Sequence, residues 1–535
     1  MRKHHLVGAS MVAMAAASVG QGASSDSAPM MQYLGYTTLL GSSLNAPLAD
    51  GSNVPVAIAE TTPTGQNVYY PDTTAGQFAA KTMTPSSTFT QALGSSAHAT
   101  GVGTRFFGNT TGYSSRSVAP NIQNIQMYSY SEFNGSYLLN SSNSTDDTLP
   151  VLGSPNNARV ASHAYVTSDS SPLNYLERLD YLVQRDDFIQ VVGNNVYGVA
   201  GNSLNSIVVV SADGTSQKTA TYGTGTPYTA GRSSPVITGP LNGSPSDAIG
   251  QVSGVVALLV SRGKTTNSNV TYTTAATSAV TAPYSGGDFA STIHPKDGYL
   301  VHSGDTSEVV KAALMAGANR LAAANGTINN PGISSYVVDT TNGLDSHYGA
   351  GMVNALNSYK IEDAGETDSK EDSSSAGIKG GIGQYGFDYD QAFGGARDAN
   401  NNLTNSTATY GFTAGGSGKF YATLAWNVKI TGGTTSFDGT PTLYDLDLTL
   451  KDLTTGTVTA LSASTVDNTE NLYTDLIAGD KYALMVSTKS SPFNWDYGLA
   501  WRSDVALAPA AVPEPAMLGV AGVAAAMLLR RRRTM

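Results

Sequence analysis

Along residues 26–365, short runs rich in Val and Ile alternate with loops of Gly, Ser and Asn and with a few stretches of helical spacing. Val54–Ala59, Ile189–Val192 and Ser206–Val210 read as strands. Ser246–Arg262 reads as a helix. So does Ser307–Ala324, where Val309, Val310, Ala313, Leu314 and Leu321 recur at helical spacing. Strands alternating with helices predict an α/β region built on a parallel sheet. A polar, acidic stretch beginning at Glu366 then breaks the pattern, and 366–376 reads as a linker. From 377 to about 505 only strand patterns remain: Phe420–Val428, Leu443–Leu450, Tyr482–Val486 and Tyr497–Arg502, with Gly-, Asp- and Asn-bearing turns between them. That arrangement predicts an all-β sandwich. Leu and Asp alternate within Leu443-Tyr444-Asp445-Leu446-Asp447-Leu448, which predicts a half-buried strand with an acidic outer face.

Composition narrows the picture. The chain has 535 residues, room for two to four domains at roughly 100–200 residues each. Lys and Arg number 29 against 40 Asp and Glu, a net charge of −11, which argues against a nucleic-acid partner. Cysteine is absent, so disulfides, thiolate metal sites and a Cys nucleophile are excluded. No run of Asp at calcium-loop spacing stands out, and neither a metal nor a cofactor is expected.

Both ends read as addresses. Arg2, Lys3, His4 and His5 precede an apolar stretch from Leu6 to Val19 and small residues over Gly20–Ser24. A basic head, a short apolar run and a small-residue exit predict a secretory signal peptide over 1–23, and hence export to the cell envelope, surface or exterior. At the other end, Val512-Pro513-Glu514-Pro515 leads into an apolar run from Ala516 to Leu529 and then Arg530 to Arg533. This segment, 512–535, resembles the PEP-CTERM sorting signal of bacteria that carry an exosortase. The resemblance implies an exosortase-type sorting enzyme as a partner and a transient membrane anchor. The basic end would stay cytoplasmic, and the apolar run falls short of the ~20 residues a stable span needs. A plain tail anchor is the alternative.

Peptide hydrolysis by a serine needs a base, an acid to hold that base and donors for the oxyanion. Three segments offer such groups in the order acid, His, Ser. Ser246 opens an apolar helix, with Val252, Gly254 and Val255-Val256-Ala257-Leu258-Leu259 behind it. A helix start favours negative charge, although a serine there serves equally well as an N-cap. Gly94-Ser95-Ser96-Ala97-His98-Ala99-Thr100-Gly101-Val102 is followed by Ser117-Val118-Ala119-Pro120. Val56-Ala57-Ile58-Ala59-Glu60-Thr61-Thr62 precedes Tyr70-Pro71-Asp72. Outside the leader, His98 shares the chain with His163, His294, His302 and His347, and only His98 stands in this context.

These segments resemble the subtilase family of serine peptidases. The helix at Ser246 is similar to the family's nucleophile helix, with Ser244-Pro245 in place of Gly-Thr, Gly250 in place of Pro, Gln251 in place of His and an added carboxylate at Asp247. His98 falls on the family's base. Glu60 falls on its acid, one methylene longer than the usual Asp, and Asp72 falls on a later structural Asp. Phe188-Ile189-Gln190-Val191-Val192-Gly193-Asn194-Asn195 resembles the strand that supplies the oxyanion amide, from Asn194 with Asn195 in reserve. Tyr348-Gly349-Ala350-Gly351-Met352-Val353-Asn354-Ala355 resembles a closing family element. The resemblance covers roughly 50–360. It implies a doubly wound parallel-sheet subtilisin-like domain over 26–365 and an endopeptidase acting on protein or peptide substrates through an acyl-enzyme, with Glu60, His98 and Ser246 as its triad. The altered residues around Ser246 keep a second reading open, an inactive subtilase-fold surface or matrix protein. A plain β-rich adhesin is disfavoured by the α/β alternation.

The sandwich over 377–505 resembles the jelly-roll domain appended to many secreted subtilases. It holds Trp426, Trp495 and Trp501. Core packing is the favoured role for these rings, with contact to an extracellular polysaccharide as the alternative.

Overall fold

A computed structural model describes residues 31–42, 44, 49–61, 68–86, 95–109, 117–134, 158–165, 172–194, 199–212, 227–229, 232–240, 245–265, 271–273, 300–321, 333, 335–372, 378–394, 406–430, 441–489 and 495–512. The expected leader, the Pro-Glu-Pro tail, His294 and Asn195 lie outside them. Among the described residues no helix is long and apolar enough to cross a membrane.

Seven strands form one wholly parallel sheet: β1 (Val56–Glu60), β2 (Thr82–Pro85), β3 (Asn124–Ser129), β4 (Val160–His163), β5 (Ile189–Gly193), β6 (Ile207–Ser211) and β7 (Ile237–Gly239), in the order β2-β3-β1-β4-β5-β6-β7. Every residue of β1, β4 and β6 is buried, as it must be when both faces of a parallel sheet are covered. The covering helices include α1 (Ala97–Phe107), α2 (Pro172–Asp186), α3 (Pro245–Gly263), α4 (Ser307–Gly317) and α5 (Ala355–Ala364). From Ala248 onward nearly all of α3 is buried, which explains its apolar residues on every face. The helix expected over Ser307–Ala324 stops at Gly317. There the chain leaves to exchange backbone hydrogen bonds between Asn319 and Met352, at 2.8 and 2.9 Å, and Leu321 falls on the surface.

After a short antiparallel pair, β8 (Thr271–Thr273) with β9 (Leu300–His302), the C-terminal region is a two-layer sandwich. Its strands are β10 (Tyr385–Phe393), β11 (Thr407–Ala414), β12 (Gly418–Ala425), β13 (Leu446–Asp452), β14 (Val458–Ser462), β15 (Thr469–Leu476), β16 (Lys481–Thr488), β17 (Trp495–Ser503) and β18 (Leu507–Pro509). One sheet runs β10-β17-β12-β15 and the other β14-β13-β16-β11-β18, all antiparallel.

Three expectations need correction here. The stretch read as a linker is bound to the sandwich: Lys370 N donates to Thr409 O at 2.9 Å, and the Glu371 carboxylate accepts from both Thr409 N and Thr409 Oγ1. The sandwich runs past 505, because β18 pairs with β11. The acidic face expected near Leu443–Leu450 is largely covered, with Asp447 only 7% exposed and paired with Lys489 at 3.1 Å. The three Trp rings, at 0–1% exposure, are core.

The two regions share a tight seam. Val309, Ala312, Ala313 and Ala316 of α4 pack against Phe387, Tyr389, Ala425 and Ala500 of the sandwich. Arg502 of β17 closes the end of α4, donating from Nε to Ala316 O and from a terminal nitrogen to Ala318 O, both at 2.9 Å. A cation placed on the free carbonyls of a helix C-terminus is favourable there.

Candidate active site

Glu60 is the last residue of β1 and only 1% exposed. Its Oε2 lies 2.8 Å from His98 Nδ1, while Oε1 is buried with no hydrogen-bond partner among the described residues. His98 sits in the first turn of α1. That turn is capped by Ser96, whose Oγ accepts from Ala99 N at 3.2 Å. Two further bonds fix the entry to the helix: Ser96 N donates to Tyr70 O at 2.6 Å, and Asp72 N donates to Thr100 Oγ1 at 2.8 Å. Asp72 itself anchors a turn by accepting from Thr74 N and Oγ1.

The electrostatics follow from burial. Loss of water pushes the Glu60 carboxyl up, opposed by the adjacent His98 ring. The Glu60 carboxyl holds the His98 ring above its ordinary value, against a smaller effect of burial. Both shifts say that the pair holds on to a proton. The outer part of the His98 side chain remains accessible, at 40% exposure.

Ser246 follows Pro245 at the start of α3, where a proline costs no hydrogen bond and free N–H groups gather. α3 lies close against α1 because Gly250 and Gly254 leave room for it. A Cβ on Gly250 would lie 2.7 Å from Val102 O, and one on Gly254 would lie 2.8 Å from Ser117 Oγ and 3.2 Å from Arg105 O. The two helices therefore run alongside each other in the same direction. Ser246 stands one turn before Gly250 on α3, and His98 one turn before Val102 on α1. Asp247 Oδ1 lies 3.5 Å from where a Cβ on Gly101 would stand. The Ser246 hydroxyl donates to Ala164 O at 3.3 Å and makes no hydrogen bond to His98 among the described residues.

Asn194 leaves the end of β5, its N–H bonded to Val209 O at 2.8 Å and its side-chain oxygen lying against Gly201. A Cβ on the preceding Gly193 would meet Ile249 Cδ1 at 2.8 Å, so Asn194 emerges beside the first turns of α3.

One group had drawn no attention in the sequence. Ala164, which accepts from Ser246, is flanked by His163 and Tyr165, and these two side chains are tied together. Gln190 Nε2 donates to Phe188 O at 2.7 Å, which turns Gln190 Oε1 toward His163 Nε2, also at 2.7 Å. Nε2 thus carries the proton, and Nδ1 accepts from Tyr165 Oη at 2.9 Å. Burial lowers this ring to about 4, so it stays neutral and structural. A His and a Tyr two residues apart at a strand end share a face, which was the only available signal. His302 and His347 pair locally with Asp305 and Asp345. On the sandwich, carboxylate oxygens of Glu366, Asp368 and Asp388 lie within 4.8 Å of one another and could hold a cation.

No family model matches the chain, and no curated protein does. Several solved structures are similar to it. One is tripeptidyl peptidase 2, with 10% identity over 79% of this chain and 41% of that chain at a TM-score of 0.28. A second is the MycP3 protease from the type VII (ESX-3) secretion system, with 14% identity over 62% of this chain and 87% of that chain at a TM-score of 0.32. A third is the A-subunit of the AB5 toxin from E. coli, with 14% identity over 62% and 99% at a TM-score of 0.33. The chain spans less than half the length of the peptidase in the first of these. Likeness at this level assigns neither a family nor an activity.

Proposed function

We propose that this chain is an exported serine endopeptidase that cleaves protein or peptide substrates through an acyl-enzyme, with Ser246 as nucleophile, His98 as base, Glu60 as the acid behind it and Asn194 as oxyanion donor. The observation that carries the reading is the 2.8 Å contact between the buried Glu60 carboxyl and His98 Nδ1, which leaves Nε2 as the ring's working nitrogen. Ser246 Oγ attacks the scissile carbonyl while His98 Nε2 takes its proton. Glu60 stabilises the imidazolium that results. The N–H groups opening α3 and the Asn194 amide oppose the charge on the tetrahedral oxygen. The same imidazolium then protonates the departing amine, and water releases the acyl group. The resting bond from Ser246 to Ala164 O must first give way by rotation about the serine side chain, a rearrangement usual on substrate binding. In this reading the leader over 1–23 directs export, and the Pro-Glu-Pro tail is handled by an exosortase-type enzyme after transient anchoring.

A second reading, an inactive scaffold of the same fold, draws on that same resting bond and on the Asp247 carboxylate beside the nucleophile. A fluorophosphonate probe separates the two. The peptidase reading expects the wild type to be labelled on Ser246, with labelling lost in Ser246→Ala and His98→Ala. A protein that unfolds cooperatively yet never labels supports the scaffold.

A further inference from the structure

Asp247 lies in the first turn of α3, and its carboxylate oxygen is 3.5 Å from the place a Cβ on Gly101 would occupy. Gly101 is three residues beyond His98 in α1, and positions three apart on a helix are neighbours, with their Cβ atoms about 5–6 Å apart. The Asp247 carboxylate therefore faces the α1 surface that presents the imidazole. Glu60 approaches the same ring from the end of β1. A Cβ at Gly101 would meet the carboxylate oxygen only at ordinary van der Waals distance.

We propose that Asp247 is a positioning residue, a second carboxylate that acts through the His98 ring and favours its protonated form from the α3 side. This inference rests on the peptidase reading for its catalytic meaning, but not for its electrostatics. The charged groups around the ring are Glu60 on β1 and Asp247 on α3, with Arg105 two turns further along α1 and Asp72 in the loop that anchors α1. Only the first two act on the ring, and both in the same direction. Asp247 also adds to the burden on Glu60, raising that carboxyl further. Two acids around one imidazole delay the appearance of the free base. The working range is therefore moved to more alkaline pH than Glu60 alone would set. Asp247 acts on the ring in the same direction as Glu60 and more weakly, and salt screens a charge at a partly exposed site.

The test is the titration of His98 in the full chain, followed by NMR of ring-labelled histidine, with the resonance assigned by its loss in His98→Gln. In Asp247→Asn the midpoint is expected to fall below that of the wild type at low salt. The gap from wild type should shrink at 1 M salt, where the screening length drops to about 3 Å. Asp247→Ser serves as a second variant if the first folds poorly, and the salt response of the wild-type midpoint provides a readout that needs no variant. A midpoint that is unmoved or raised in both variants overturns the proposal, as does a wild-type midpoint indifferent to salt. Loss of the peptidase reading has a different signature. There the wild type fails to react with the fluorophosphonate probe while the His98 midpoint still answers to Asp247.

Discussion

Replacing Asp496 with Asn should stabilise the protein, and only above a definable pH. Asp496 lies on β17 at the seam with α4, 5% exposed. Its Oδ2 accepts from Tyr389 Oη at 2.6 Å, and its Oδ1 is buried without a hydrogen-bond partner among the described residues. Two more carboxyls share the seam. Glu308 accepts from Asn427 and from Ser307 Oγ, and Asp187 accepts from Ser307 N at 2.8 Å. Burial drives all three up: Asp187 to about 6, Asp496 to about 7, and Glu308 well above its ordinary range with Asp496 as an added cause. Lys429 offsets a little of this at Asp496, and Arg159 does so at Asp187. A carboxyl whose proton is held more tightly in the folded chain contributes full stability below its unfolded value and loses it as pH rises through the folded one. For Asp496 that window runs from 3.8 to about 7, and the loss at its far end is on the order of 4 kcal/mol. Asn keeps the shape and the acceptor for Tyr389 without the charge. Calorimetric unfolding between pH 4 and 9 should give coincident transitions at pH 4. A gap in favour of Asp496→Asn should then open to roughly 4 °C by pH 8. A gap of constant size across the range, or a variant less stable at pH 8, would refute the reasoning.

Two other substitutions probe the site and the seam. Glu60→Gln keeps the side-chain volume and removes the charge behind His98. The His98 midpoint should fall, and fluorophosphonate labelling at neutral pH should slow by roughly 10³–10⁴-fold, measured as a pH–rate profile against wild type. Arg502→Ala strips the end of α4 of two hydrogen bonds to a charged donor and should cost about 3 kcal/mol in urea unfolding. Arg502→Lys should recover only part of this, since an ammonium does not reproduce the planar fork that spans Ala316 O and Ala318 O.

The parallel sheet was legible where strands are continuous apolar runs. β1, β5 and β6 fall within two residues of their expected limits. So does α3, whose apolar residues cover every face because it is enclosed on every side. α2 was missed for the opposite reason. Its core residues Tyr175, Leu176, Leu179, Leu182 and Val183 keep helical spacing, but Arg178 and Asp180 are buried among them and read as surface. Asp180 is accounted for by partners 23 to 48 residues away, in Ser203, Leu204, Asn205 and Tyr228, which no local pattern reveals. The segment at 366–372 misled in the same way. Its acidity suggested solvent, yet Glu371 finds its donors on β11, 38 residues away.

The arrangement at the candidate site depended less on the residues flanking Ser246 than on the spacing behind it. A motif reading weighs Ser244, Pro245, Gly250 and Gln251 as departures from a pattern, and by that measure the segment is weak. Packing reads the same residues differently. Gly250 and Gly254, one turn apart, let α3 settle onto Val102, Arg105 and Phe106, and the register so fixed leaves Ser246 one turn behind Gly250 and His98 one turn behind Val102. A Cβ at either glycine would push the helices apart, since overpacking of a close contact is relieved by backbone movement. In the proposed peptidase, Ser246 would then shift relative to His98 even with every proposed site residue in place. The glycine spacing is therefore the feature that fixes how α3 lies on α1, and the Glu60 bond, formed from the end of β1, orients the His98 ring.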